Sequence, residues 1–160
     1  MSAGTGYRGY IASRPIRHTS FPQRVQNLVV RSYAQRNGLA FKLSVVEYAM
    51  SGCYMMLATL LDELPKLDGV IVFSLFMLPS DDARRAALYE RFFQTGTSLH
   101  AALEETVLRS PGDVSRFEDV IRVARALPHA PLHARFEKTS DPVPADDPFV
   151  VALTRTPWPG

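Results

Sequence analysis

Cysteine is nearly absent from this sequence, which has one, Cys53, among 160 residues. A single cysteine excludes an internal disulfide and any metal site built from a cysteine cluster, and it is compatible with a reducing compartment. No segment approaches the roughly 20 consecutive apolar residues that span a bilayer. Residues 1–6 are small and polar and lack the apolar run of a signal peptide. We therefore expect a cytoplasmic protein without a membrane partner.

Cofactor and metal motifs are also absent. The sequence contains no Gly-x-Gly-x-x-Gly fingerprint and no Walker loop, so dinucleotide or ATP binding is not expected. Its four histidines have no metal-ligand spacing and stand at His18, His100, His129 and His133. The net charge is +2 without a concentrated basic stripe, which makes nucleic acid an unlikely partner. We predict no metal and no cofactor.

What the sequence does contain is an uninterrupted apolar run at residues 70–73, between Asp68-Gly69 and Pro79. A strand with one face in water alternates apolar and polar residues, whereas this run does not. The pattern therefore predicts a strand covered on both faces, as in a parallel sheet flanked by helices. Ser80 is placed to cap a following helix over about 81–94.

Further alternating segments extend this pattern along the chain. Strands are predicted at 7–13, 39–46, 70–73 and 97–103, and helices at 20–36, 55–64, 81–94 and 114–126. In the first helix, Val25, Leu28, Val29 and Tyr33 recur at helical spacing as a buried face. The alternation predicts one α/β domain with a mainly parallel sheet of four to five strands and helices on both faces.

The domain is expected to span 1–127. Residues 128–160 hold seven of the twelve prolines, which predicts a Pro-rich C-terminal tail. Within that tail, 149–153 is the one run that could add an edge strand.

Ligands of open α/β sheets bind beyond the carboxyl ends of the strands. The first strand is followed there by Ser13, Arg14 and Arg17, which could hold a phosphate while the serine hydroxyl attacks or orients. The alternative is an ordinary solvated loop. Other polar residues expected at this edge, as substrate-binding groups, are Tyr48, Ser51, Tyr54, Ser74 and Glu104.

Three further side chains are candidates for catalysis. Glu47, paired with His100 or Glu104, could provide general acid–base catalysis, and its alternative is a surface carboxylate. His100 lies between apolar neighbours, so a hydrogen-bonded core histidine is the competing interpretation. Cys53 could be activated at a helix start or could be inert packing.

Several segments resemble the "sporadic carbohydrate cluster" protein family of small bacterial proteins. The resemblance covers about residues 8–127 and is carried by GYIASRP (9–15), QNLV (26–29), EYAMSGCYMML (47–57), LDELP (61–65), SLFMLP (74–79) and LHAALE (99–104). It implies a role in surface-polysaccharide or sugar-containing natural-product biosynthesis, without implying a particular reaction.

A more distant likeness is to the catalytic domain of serine recombinases, the resolvases and invertases. Tyr10 and Ser13 resemble that family's tyrosine-containing strand and nucleophilic serine, with the serine one place early, and 49–52 resembles its Ala-Ser-Gly loop. The segment at 75–80 lacks the two arginines that clamp the scissile phosphate in that family. The likeness therefore implies a resolvase-like fold more than strand exchange.

We expect, on this basis, a small enzyme that acts on a sugar, sugar phosphate or nucleotide sugar by isomerisation, elimination or hydrolysis. The alternative is a non-catalytic sugar-nucleotide-binding or scaffolding subunit, and a recombinase-like DNA binder is the least favoured reading. A homodimer through the helix at 114–126 is compatible with each of them.

Overall fold

The computed structural model describes residues 5–129. Five strands and four α-helices are arranged as β1 Tyr7–Ala12, α1 Gln23–Arg36, β2 Phe41–Glu47, α2 Met55–Glu63, β3 Gly69–Val72, α3 Asp82–Thr95, β4 Ser98–Ala101, β5 Thr106–Leu108 and α4 Val114–Ala126. Short 3₁₀ turns lie at Leu64–Lys66, Leu75–Met77, Pro111–Asp113 and Leu127–His129. The strand predicted at 149–153 lies outside the described residues.

One sheet runs through the molecule in the order β2-β1-β3-β4-β5. Neighbouring strands are parallel from β2 to β4, and β5 pairs antiparallel with β4. The predicted α/β class with a mainly parallel sheet is confirmed. The predicted continuation of the fourth strand to residue 103 is wrong, because the chain turns after Ala101 and returns as β5, with Glu105 at φ 51° in the turn.

The central strand β3 is buried at all four positions, and Phe73 beyond it is also buried. Since successive side chains of a strand point to opposite faces, full burial requires cover on both faces. Helix α1 packs on β1, β2 and β3, α2 on β2, α3 on β4 and α4 on β5. The prediction that the apolar run at 70–73 is a strand covered on both faces is therefore confirmed.

Helix α1 buries only part of the predicted face: Tyr33 is buried and Val29 packs against the core, but the other two residues do not. Val25 and Leu28 are 43% and 68% exposed, whereas Gln26 is fully buried. The Gln26 amide accepts from the Ala12 N–H at 3.0 Å and donates to the Ala12 and Phe21 carbonyls, each at 2.8 Å. A polar side chain thus occupies the centre of the helix–sheet contact because it satisfies the backbone at the end of β1.

Within residues 5–129, no helix is both long enough and apolar enough to cross a membrane.

Candidate functional site at the carboxyl edge of the sheet

The segments that follow β1 and β2 lie side by side at the carboxyl edge of the sheet. The Ser13 N–H donates to the Glu47 carbonyl at 3.2 Å. The Arg14 guanidinium donates to the Cys53 carbonyl and lies 4.7 Å from the centre of the Tyr54 ring. The structure therefore brings the Ser-Arg and Glu-Tyr segments together at one end of the molecule.

Glu47 is a fully buried carboxylate at the end of β2. Its Oε2 accepts from the Tyr10 hydroxyl at 3.0 Å and from the Leu57 and Met56 N–H groups at 3.1 Å. Its Oε1 accepts from its neighbour Tyr48 N–H at 3.1 Å. The carboxylate thus ties β1 and β2 to the N-terminus of α2, where backbone N–H groups lack partners within the helix.

These hydrogen bonds fix the ionised state of the carboxyl. Burial alone would raise the pKa of Glu47, but the N–H groups of Leu57, Tyr48 and Met56 and the Tyr10 hydroxyl outweigh it and hold the pKa below its ordinary value. Burial and the adjacent Glu47 charge raise the pKa of Tyr10. A carboxylate that is kept ionised and surrounded by protein donors is a weak proton acceptor, so the geometry favours a positioning role for Glu47.

Residues 48–54, between β2 and α2, present a mixed surface. Tyr48 is 51% exposed and Met50 63% exposed, and Ser51 is exposed as well. Cys53 is half-buried, and its thiol donates toward Glu47 Oε1 with an S···O distance of 3.7 Å. Tyr48 and Ser51 are therefore open to solvent, whereas the Cys53 thiol is hydrogen-bonded to the buried Glu47 carboxylate.

After β1, residues 16–19 form a tight turn. The Ile16 and Thr19 backbones exchange two hydrogen bonds, at 2.8 and 3.0 Å. The two residues between them, Arg17 and His18, have φ values of 48° and 67°. Two successive left-handed residues are typical of a type I′ turn, in which glycine and asparagine are the preferred residues. Arginine and histidine are held there in a conformation that costs each of them about 1–2 kcal/mol.

The turn places Arg17 over the loop that follows β3. Its guanidinium lies 4.7 Å from the centre of the Phe76 ring and donates to the Ala124 carbonyl of α4 at 3.3 Å. Beside it is a cavity of about 150 Å³ with an apolar floor and a second exposed cation, Arg125, at its rim. Because β1 lies between β2 and β3, Arg14 and Arg17 occupy the two sides of the loop that carries Ser13.

Ser13 is exposed at the start of this loop. The Gln23 amide donates to its Oγ at 2.7 Å. That contact leaves the Ser13 proton free to be given to a ligand, and the amide donor would also stabilise negative charge on the oxygen.

Ser74 and Glu104 meet where β3 and β4 end. The Ser74 hydroxyl donates to Glu104 Oε1 at 2.6 Å, and the Leu75 N–H donates to Oε2 at 3.0 Å. Ser74 Oγ also accepts from the Phe76 N–H at 3.2 Å. These two predicted binding residues satisfy each other and the start of the 3₁₀ turn.

His100 does not join this edge. It lies on β4, three strands from β2 in the sheet order, which at about 4.8 Å per strand places the two strands roughly 14 Å apart. Its ring is 1% exposed and contacts Tyr33 and Ser98. The expected pairing of Glu47 with His100 or Glu104 at one rim is therefore not formed. The catalytic roles suggested for Ser13, Cys53, Glu47 and His100 stay predictions.

The sequence analysis missed an ion pair next to the cavity, between a buried arginine and a half-buried glutamate. Arg85, 1% exposed, donates through Nε and Nη2 to the two oxygens of Glu118 at 2.9 and 2.7 Å, and Tyr89 donates to the same carboxylate at 2.7 Å. These bonds raise the pKa of Arg85 and lower that of Glu118. The signal that could have found the pair is the helical spacing of Arg85 with Leu88, Tyr89 and Phe92 on the buried face of α3.

Within residues 5–129, no group of three or more His, Cys, Asp or Glu side chains is arranged to hold a metal ion.

The strand order β2-β1-β3-β4-β5, with an antiparallel fifth strand, defines a resolvase-like α/β fold. The chain is similar to a resolvase-family site-specific recombinase from Streptococcus pneumoniae, with 13% identity and a TM-score of 0.55 over 77% of this chain and 91% of that one. It is also similar to the N-terminal catalytic domain of TP901-1 integrase, with 16% identity and a TM-score of 0.51 over 75% of this chain and 98% of that one. At these identities the likeness shows the fold alone. No protein-family model and no curated protein sequence matches the chain.

Proposed function

We propose that the protein binds a phosphorylated small molecule, a sugar phosphate or nucleotide sugar, at the carboxyl edge of its sheet, through Ser13, Arg14 and Arg17. The observation that supports this most is the turn at 16–19. Its two central residues, Arg17 and His18, keep an unfavourable backbone conformation that glycine would adopt without strain. Strained backbone of this kind is concentrated at binding and active sites.

The surroundings of the two arginines support the same ligand class. Each guanidinium lies against an aromatic ring, Tyr54 or Phe76, which restricts its orientation before a ligand arrives. Planar guanidinium groups bind phosphate through two parallel hydrogen bonds, and pre-orientation lowers the entropic cost of that binding. The exposed Tyr48 and Ser51 provide further contacts for the non-phosphate part of the ligand.

If the protein is an enzyme, Ser13 is, among the residues predicted to be catalytic, the one at this edge that is free to act on the ligand. The carboxylates of Glu47 and Glu104 are engaged by protein donors, and the Cys53 thiol points to Glu47. We propose that Ser13 orients the phosphate-bearing group by donating a hydrogen bond to it and that Glu47 holds the loop beside it. Carbohydrate biosynthesis, and a non-catalytic binding subunit as its alternative, both remain compatible with this assignment.

The proposal is tested by titrating ¹⁵N-labelled protein with glucose 6-phosphate and following the backbone amides of residues 13–18, of which Pro15 has no N–H and gives no signal. We expect saturable shifts at these amides, about tenfold weaker affinity in Arg14→Ala and in Arg17→Ala, and unchanged affinity in Arg122→Gln. Arg122 is a matched control because it is an arginine at the surface, 76% exposed and paired with Asp119. Amides at 13–18 that do not shift at millimolar ligand would overturn the proposal.

A second candidate, phosphodiester chemistry on DNA, is favoured by one observation, the recombinase names of the two similar structures. A fluorescence anisotropy titration with a labelled DNA duplex distinguishes the two ligands. We expect weak binding that disappears at physiological salt, since backbone contacts that are only electrostatic are lost as salt rises. Retained DNA binding that depends on Ser13 and Arg17 would favour the second candidate.

The homodimer through α4 also stays a prediction; on that helix Val123 is 59% exposed.

A further inference from the structure

The opposite edge of the sheet, at the amino ends of the strands, contains a polar cavity of about 560 Å³. Its walls combine hydroxyl groups with charged side chains of both signs, and include Tyr7, Thr97, Ser98, Lys66, Asp68 and Arg109. Nothing in the carboxyl-edge site reaches this cavity, because the two lie at opposite ends of the parallel strands.

A chain of hydrogen bonds leads from this cavity into the core. Ser98 Oγ lies 2.9 Å from His100 Nε2, and His100 Nδ1 lies 3.0 Å from the Tyr33 hydroxyl. Tyr7 packs edge-on against the His100 ring with centroids 5.2 Å apart. His100 and Tyr33 are buried at 1% and 3% exposure, so Ser98 is the member of this chain that lines the cavity.

The imidazole stays neutral in this environment. Burial and, to a smaller extent, the positive charge of Arg109 lower the pKa of His100 to about 4. Among residues 5–129, no carboxylate contacts the ring to stabilise an imidazolium, so the Ser98–His100 pair is unsuited to general-base catalysis. The neutral ring instead fixes the orientation of the Ser98 hydroxyl, as a rigid binding site requires.

Gly69, which lies opposite Ser98, allows Ser98 and Tyr7 to pack close together. A Cβ added at Gly69 would lie 2.2 Å from the Ser98 carbonyl oxygen, 2.8 Å from the Tyr7 ring and 2.9 Å from Ser98 Oγ. A larger residue at position 69 would push Ser98 and Tyr7 apart. The close approach of the two hydroxyl-bearing side chains therefore depends on glycine.

The charges around the cavity favour an anion. Among residues 5–129, neither Lys66 nor Arg109 has an ion-pair partner, and both are exposed. The one carboxylate of the wall, Asp68, accepts the Gly6 N–H at 2.9 Å. Two available cations beside a wall of hydroxyls fit a ligand that carries both a phosphate and hydroxyl groups.

We propose that this amino-edge cavity is a second ligand site, in which Lys66 and Arg109 bind the phosphate of a small hydroxylated molecule and Ser98, held by His100, hydrogen bonds to it. The site is separate from the carboxyl edge and does not depend on the function proposed there. Its occupancy would be coupled to the core through His100 and Tyr33.

The test is a titration of ¹⁵N-labelled full-length protein with glucose 6-phosphate, a probe that combines a phosphate with several hydroxyls. The signals followed are the amides of Thr97 and Ser98 and the imidazole of His100. We expect saturable shifts in wild type, and about tenfold weaker affinity at these signals in Lys66→Gln and in Arg109→Gln. Ser98→Ala should weaken binding several-fold, since it removes one neutral hydrogen bond.

Two controls separate this site from the other edge and from general loss of charge. Arg17→Ala and Arg122→Gln should leave the affinity at Thr97 and Ser98 unchanged. The thermal midpoint of each variant shows whether it is folded, and removal of exposed cations is expected to leave it close to wild type. Absence of shifts at Thr97 and Ser98 in wild type, or unchanged affinity in a Lys66→Gln/Arg109→Gln double variant, would overturn the proposal.

Discussion

The two edges of one sheet use their polar residues in different ways. At the carboxyl edge, Glu47 and Glu104 are satisfied by protein donors, and the exposed groups of the loop after β1 include Ser13 and Arg17. At the amino edge, His100 is buried and neutral, the exposed groups are the cations Lys66 and Arg109, and the Ser98 hydroxyl lines the cavity although the residue is 8% exposed. In both places the group best known for acid–base chemistry supports the structure, and a serine hydroxyl lies near cations. Residue type alone therefore does not distinguish a catalytic group from a supporting one.

The largest effect is expected when the Glu47 carboxylate, which holds the carboxyl edge together, is removed. Glu47→Ala leaves the Leu57 and Met56 N–H groups and the Tyr10 hydroxyl buried without an acceptor, and we expect a loss of about 3–5 kcal/mol in the free energy of unfolding. Urea denaturation measures it, with Glu90→Ala, at an exposed position on α3, as the control within about 0.5 kcal/mol of wild type. A loss below 1 kcal/mol for Glu47→Ala would contradict a supporting role.

The next effect concerns His100 at the amino edge. Its pKa of about 4 in the folded state is below the ordinary 6.5, so the unfolded state binds more protons between these values. Stability that His100 contributes is complete above pH 6.5 and is lost as the pH falls toward 4, by about 3 kcal/mol in total. Urea unfolding of wild type and His100→Asn at pH 7.0, 5.5 and 4.5 should show a steeper decline in wild type. The pKa of Glu47 is also lowered, so its contribution is likewise lost on acidification, but only below its ordinary pKa of about 4.5. Parallel curves for the two proteins would show that His100 is not the group responsible.

A smaller effect is expected at Glu104, the second carboxylate of the carboxyl edge. Glu104→Gln removes a charged acceptor from the Ser74 hydroxyl and the Leu75 N–H, and we expect a loss of about 1–2 kcal/mol. Its neighbour Glu105 is a matched control, since it forms an ion pair with Arg36 in which both side chains are exposed, Arg36 by 58% and Glu105 by 62%. The thermal midpoint of unfolding should be clearly lower for Glu104→Gln than for Glu105→Gln. Equal midpoints would be evidence against the Ser74–Glu104 contact.

The smallest effect is a gain in stability. His18→Gly relieves a left-handed residue in the turn at 16–19, and we expect about 1 kcal/mol of added stability. The same change should weaken binding of glucose 6-phosphate at residues 13–18, because it loosens the turn that presents Arg17. A variant that is both more stable and an equally good binder would remove the argument that the strain serves a function.

The sequence indicated the fold well and the site only partly. The apolar run at β3 and the periodicity of α4 fixed a buried parallel strand and a helix at 114–126, because each signal is local. The hairpin to β5 was missed, since Thr106–Leu108 is three residues long and too short to show alternation. The face of α1 was only partly predicted because Gln26 is buried through contacts with Ala12 and Phe21, and the pattern of one helix does not show such partners.

The location of the candidate site could be predicted from the strand topology. Which of its side chains are buried and hydrogen-bonded could not. Parallel strands deliver Ser13 and Glu47 to the same edge, as predicted. The sequence does not show that His100 points away from that edge, or that Glu47 is enclosed by five backbone and side-chain donors. Those facts depend on contacts between residues up to 67 positions apart.

The most direct test of the account compares Glu47→Gln with Arg17→Ala for the Kd of glucose 6-phosphate, read from the amides of residues 13–18 under conditions where both proteins are folded. The account predicts that Glu47→Gln is less stable and yet binds within about twofold of wild type, whereas Arg17→Ala binds about tenfold more weakly. The reverse result, with binding lost in a fully stable Glu47→Gln protein and kept in Arg17→Ala, would make Glu47 the ligand-contacting group and contradict the account.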